Sequence, residues 1–127
     1  MSAAAVPAAF SGEIAEFALA GSGGGGYRSR PMKREDEVRI EREKAWIGDA
    51  VLALFARSWV LEERGRMDGE WFTRLTSNEF LSTFGPPTEV EARIGAIYRE
   101  EGLAAAFAWM ETELLPKFRR LMAKRGG

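Results

Sequence analysis

The 127-residue chain contains no cysteine and no histidine. Those two absences exclude disulfides, thiolate and imidazole zinc sites, cysteine nucleophiles and serine–histidine triads. Any bound metal must therefore use oxygen ligands, which points to magnesium or manganese. Excess charge of one sign is also missing. Lysine and arginine number 18 against 19 acids, a net charge of -1, so composition alone carries no polyanion signal. Nor is there a membrane-length apolar run. The longest candidate, "KAWIGDAVLALFARSWVL" (Lys44 to Leu61), is short for a span and has charges at both ends. The N-terminus lacks a basic region and carries Glu13 and Glu16 within its apolar stretch, unlike a signal peptide. These features predict a soluble cytoplasmic protein.

What is present is helical periodicity. "GSGGGG" (Gly21 to Gly26) is a flexible linker by composition, so residues 1–30 read as an N-terminal extension and residues 31–127 as the domain. Before the linker, "AAFSGEIAEFALA" suits one short amphipathic helix with Ser11 as its cap, or partial disorder. From Glu35 on, Trp46, Ile47, Ala50, Val51, Leu54, Phe55 and Trp59 recur at the spacing of a buried helix face, and Gly65 suits the C-cap. A second helix or helix pair carries Trp71, Phe72, Leu75, Phe80, Leu81 and Phe84, and "GPP" (Gly85 to Pro87) breaks it. Thr88 with Glu91 three residues on reads as a capping box, and Gly102 ends that helix. The last helix runs from about Leu103 to Ala123, with Pro116 expected to kink or restart it. No segment alternates as a strand. The expected fold is all-α.

Asp49 interrupts the most apolar stretch of the chain. It shares its helix face with Ala45, Ala53 and Ala56, while Glu91 shares its own with Gly95, Tyr98 and Gly102. Small side chains let backbones approach, so two such stripes packed together would join the carboxylates. Paired anions in a semi-buried site share a proton or bind a cation. Spacing alone leaves other roles open: Asp49 as the cap of a neighbouring helix, Glu91 as a member of its capping box. Basic residues cluster twice, at Arg28, Arg30, Lys33 and Arg34 and at Lys117, Arg119, Arg120, Lys124 and Arg125. Each cluster suits either a solvated face or phosphate contacts.

"AWIGDAVLALFARSWVL" resembles the signature helix of the ribonuclease III family, in which an apolar pair precedes Gly-Asp-Ala-Val. "EVEARIGAIYREEG" is similar to that family's second acidic motif, and "LTSNEFL" between them to its intermediate helix. The resemblance covers about residues 41–118. It implies an RNase III-type helical endonuclease domain, a two-fold dimer built on the signature helix, and cleavage of double-stranded or structured RNA. Asp49 and Glu91 match one acid of each motif, and the resemblance makes them the catalytic residues and ligands of Mg2+, or Mn2+ as a substitute. A metal-activated water then cuts the phosphodiester to leave 5′-phosphate and 3′-hydroxyl ends. The two basic clusters are the expected RNA-binding residues.

The family's other two acids fall at Ala45 and Thr88, and an earlier signature Glu falls at Arg42, flanked by Glu41 and Glu43. The Mini-III branch, which lacks a double-stranded-RNA-binding domain, resembles this chain at Ala45 and Thr88. The connection from Asn78 to Thr88 is shorter than the family's. Two functions follow as expectations: a metal-dependent endoribonuclease, or a catalytically silent RNase III-like fold serving as a dimeric RNA- or ribosome-binding protein. In either case Trp46, Val51, Leu54, Phe55 and Trp59 are expected at the homodimer face.

Overall fold

The computed structural model describes residues 33–125. The N-terminal extension and Arg28 and Arg30, from the first basic cluster, lie outside the described residues. Those described form an all-α fold of six helices: α1 (Arg34–Arg64), α2 (Gly69–Leu75), α3 (Asn78–Leu81), α4 (Pro87–Glu101), α5 (Leu103–Glu113) and α6 (Leu115–Lys124). None of them is long and apolar enough to cross a membrane.

Helix α1 is the spine. Glu35, Asp36 and Glu37 occupy its first turn, where negative charge suits the helix dipole. Gly65 closes it at φ 73°, donating its N–H to the Leu61 carbonyl at 3.0 Å, as the "EERG" stop predicts. The buried stripe differs from the expected one. Ala45, Gly48, Leu52, Phe55, Ala56 and Trp59 face inward, joined by Val51 and Val60. Trp46 is 78% exposed and Leu54 48%, and Ala50 is exposed. Between Ala45 and Leu61 apolar residues occupy most sides of this helix, so periodicity could not tell the inward face from an outward one.

The short helices are capped by their side chains. Asp68 accepts from the Trp71 N–H at 3.2 Å, which holds its carboxyl below the usual range, and Ser77 accepts from the Phe80 N–H at 3.1 Å. The expected capping box at Thr88 is not formed. Helix α4 starts one residue earlier, at Pro87 after Pro86, and no side chain caps it. Proline suits this first position because its missing N–H would be unpaired there anyway. Thr88 therefore sits inside the first turn, and Glu91 is left free of any capping role. Gly102 ends α4 at φ 100°, and Pro116 restarts the helix as α6 rather than kinking a continuous one.

The core is aromatic at one end. The Trp59 and Trp71 rings stack at 5.7 Å, and both meet the edge of Phe118. Phe55 packs edge-on against Phe107 at 5.2 Å. At the other end, packing is through backbone. A Cβ built on Gly48 would overlap the Glu91 carbonyl oxygen and lie 2.9 Å from the Gly95 N; one built on Gly95 would overlap the Lys44 carbonyl oxygen. These contacts pair Lys44 with Gly95 and Gly48 with Glu91, so α1 and α4 run in opposite directions past each other.

A methyl at Gly48 has only backbone to displace. Gly48→Ala is expected to lower stability by roughly 2 kcal/mol or more, because helix propensity favours alanine but the overlap must push two helices apart. Thermal unfolding would show a drop in Tm of about 10 °C for a domain of this size. A Tm equal to or above that of the unaltered protein would refute the close crossing.

A carboxyl pair at the α1–α4 crossing

The residue after Gly48 is Asp49, and the residue whose carbonyl Gly48 touches is Glu91. The glycine contact thus sets both acids at the margin of the same crossing, with their carboxyl groups within hydrogen-bonding reach. Asp49 is exposed and Glu91 half-buried. The apolar sequence around Asp49 suggests a semi-buried acid; the structure corrects this. The acid sits at the solvent edge of the interface, between the buried side of α1 and an outward face that also carries apolar residues.

The Glu91 carboxyl is pushed up from 4.5 to about 7. Partial burial is the larger cause, since it disfavours the charged form. The Asp49 carboxyl adds to it by accepting a hydrogen bond from protonated Glu91 and by repelling its anion. Neither acid forms an ion pair with a described basic residue. Asp49 caps no described helix. The two structural roles left open by spacing are thereby removed, one for each acid.

The positions that carry acids elsewhere in the resemblance behave differently from each other. Ala45 is 7% exposed and packed inward on α1, whereas Thr88 is exposed. Among the described residues no group of three or more acids gathers to hold a metal. The pair itself suits a cation that keeps most of its water, as magnesium does, because such an ion needs few protein ligands.

The basic residues are divided. Lys33 and Arg34 are exposed at the start of α1. The Arg119 guanidinium lies 5.6 Å from the Trp59 ring centre, and the Lys117 ammonium lies 5.1 Å from that of Phe84 while donating to the Thr83 carbonyl. Both cations already stack on the fold's own aromatics. Arg120, Lys124 and Arg125 are exposed and are the freer members of the C-terminal cluster. Gly48 is the site residue that spacing arguments missed. Its signal was available: a glycine inside a strong helical pattern costs about 0.5–1 kcal/mol relative to alanine and so implies a close approach.

The chain matches no protein-family model, no curated protein and no solved structure. The resemblance to ribonuclease III therefore rests on the motif residues themselves.

Glu91 holds its proton more tightly in the folded chain than an ordinary glutamate does, so its contribution to stability is fully present below pH 4.5 and is lost as pH rises through about 7. Urea unfolding at a series of pH values should show stability falling across that window. Glu91→Gln, which cannot ionise, should flatten this part of the profile. Identical profiles for the two proteins would contradict the pairing.

Proposed function

We propose that this protein is a metal-dependent endoribonuclease acting on double-stranded or structured RNA, with Asp49 and Glu91 as its catalytic pair. The observation that carries the reading is their juxtaposition. The two motifs place one acid each on α1 and α4, and the Gly48–Gly95 crossing brings those same acids within hydrogen-bonding reach. A bound Mg2+ or Mn2+ would supply an activated water and charge neutralisation at the scissile phosphate. The chain's own part is positional. Asp49 and Glu91 hold the ion from two helices whose spacing cannot relax, because backbone rests on backbone. Lys33, Arg34, Arg120, Lys124 and Arg125 offer phosphate contacts, which suit an A-form duplex read by shape rather than sequence.

A silent RNA- or ribosome-binding fold is the second reading, favoured by the absence of a third nearby acid among the described residues. Incubating the protein with a long RNA duplex and Mg2+ or Mn2+, beside Asp49→Asn, separates the two. Cleavage by the unaltered chain and none by the variant supports the enzyme. Equal binding without cleavage by either supports the silent fold. Magnesium should also raise the Tm of the unaltered chain and leave that of Asp49→Asn unchanged.

The RNA-binding residues have their own test. Replacing Arg120, Lys124 and Arg125 with alanine should reduce the slope of log affinity against log salt by about one unit for each phosphate no longer neutralised. An unchanged slope would make the run a solvated tail.

The homodimer belongs to the same proposal, with its face revised. Val51, Phe55 and Trp59 are buried within the subunit and are withdrawn from the interface, because the subunit's own core uses them. Trp46 and Leu54 stay exposed and, with exposed Ala50 and Leu61, fall within about 80° of one another around α1, forming the remaining self-complementary stripe. Sedimentation should show a concentration-dependent dimer that Leu54→Glu abolishes. A monomer mass at all concentrations would remove the dimer.

A further inference from the structure

Two carboxyl groups at a cleavage site repel the polyanion they must act on. A bound cation offsets that charge at the ion itself, and the strand running away from it needs counter-charge of its own nearby. Arg42 stands where such a charge is useful. It precedes Asp49 by seven residues, which sets it about 20° around α1 from Asp49 and about 10 Å along the axis. Both residues are exposed. On the side toward α4, only the small, buried Ala45 lies between them.

The charge of Arg42 is uncommitted. The residues three and four away on its helix are Val38, Arg39, Ala45 and Trp46, none of them acidic. Arg42 forms no ion pair with a described residue and lies over no described aromatic ring. Other cations of α1 are engaged or turned elsewhere. Arg39 pairs with Asp36 at 3.3 Å and Glu43 at 3.8 Å, and Arg57 lies over Phe72. Lys44 falls on the other side of Gly48 from Asp49, where it lines a groove with Ile40 and Arg93. Arg42 also sits between the exposed Lys33 and Arg34 at the start of α1 and the carboxyl pair further along it. Positive charge thus recurs along the helix up to the site, which suits one strand laid along α1.

We propose that Arg42 binds a backbone phosphate of the RNA strand close to the scissile one, and so seats that strand over Asp49 and Glu91. Resting on the endoribonuclease reading, this assignment adds one specific contact to it. A guanidinium can donate two parallel N–H bonds to one phosphate. Phosphate contacts fix where a strand lies and carry no base information, so Arg42 sets position and not sequence preference.

The test uses the full chain, an RNA duplex of defined sequence with Mg2+, and cleavage of one mapped bond. Arg42→Ala should raise KM about tenfold, as for loss of one charge-assisted contact, and change kcat less. It should also lower the slope of log affinity against log salt by about one unit. The Tm should not move, because Arg42 has no described partner to lose. Arg42→Lys, which keeps the charge, should restore the slope. Duplexes with one uncharged methylphosphonate, placed in turn at each linkage flanking the cut bond, locate the contact. At one linkage the KM of the unaltered chain should rise to that of Arg42→Ala, and the variant should lose nothing further. Cleavage by Arg42→Ala with unchanged KM and salt slope would overturn the assignment and leave the endoribonuclease reading standing. Faster cleavage by Arg42→Glu would do the same, since the position would then serve the metal and not a phosphate. No cleavage by the unaltered chain would end both.

Discussion

Backbone resting on backbone at Gly48 and Gly95 is the contact on which the rest of the structure depends. Most helix pairs are held at 8–10 Å by their side chains, and their spacing yields when those side chains repack. Here a carbonyl of α4 occupies the volume that a Cβ of Gly48 would need, and a carbonyl of α1 does the same at Gly95. The spacing is set by atoms that have no rotamers. Asp49 and Glu91 flank that contact on their two helices, so their separation inherits the same rigidity. Rigid placement keeps Glu91 partly buried beside Asp49, and its retained proton follows first from that burial and then from the Asp49 carboxyl.

The far end of the molecule uses different physics. There α1 is held through Trp59, Trp71, Phe118 and Phe55, whose large areas bury well but tolerate small adjustments. Arginines 57, 64 and 119 lie over the rings at its margin. These cations cover aromatic faces and keep their charge near solvent. The molecule thus combines an adaptable aromatic end with an unyielding crossing, and the candidate site sits at the unyielding one.

Helix identity and most helix ends were legible in the amino-acid pattern. Gly65, Gly102 and Pro116 act where their backbone chemistry requires, because φ preferences and a missing N–H are properties of the residue itself. Burial was less legible. Trp46 and Phe55 are both large aromatics on a helix apolar on several sides, and only the position of α4 and α5 decides which turns inward. The start of α4 departs from expectation for a related reason: two consecutive prolines outweigh a threonine-glutamate box as a start signal. The acid pair was half legible. Spacing and motif order singled out Asp49 and Glu91, and Gly95 with them, but not the exposure of Asp49 or the part played by Gly48, since both follow from how closely the helices cross.

The claim that the crossing creates a carboxyl pair able to hold a cation can be read at a single nucleus. Following the Glu91 side-chain carboxyl carbon by NMR through a pH titration, without and then with magnesium, reports proton and ion on the same group. The account predicts a midpoint near 7 without the ion, and a lower one with it as the cation displaces the proton. A midpoint in the ordinary glutamate range that magnesium leaves unmoved would contradict it.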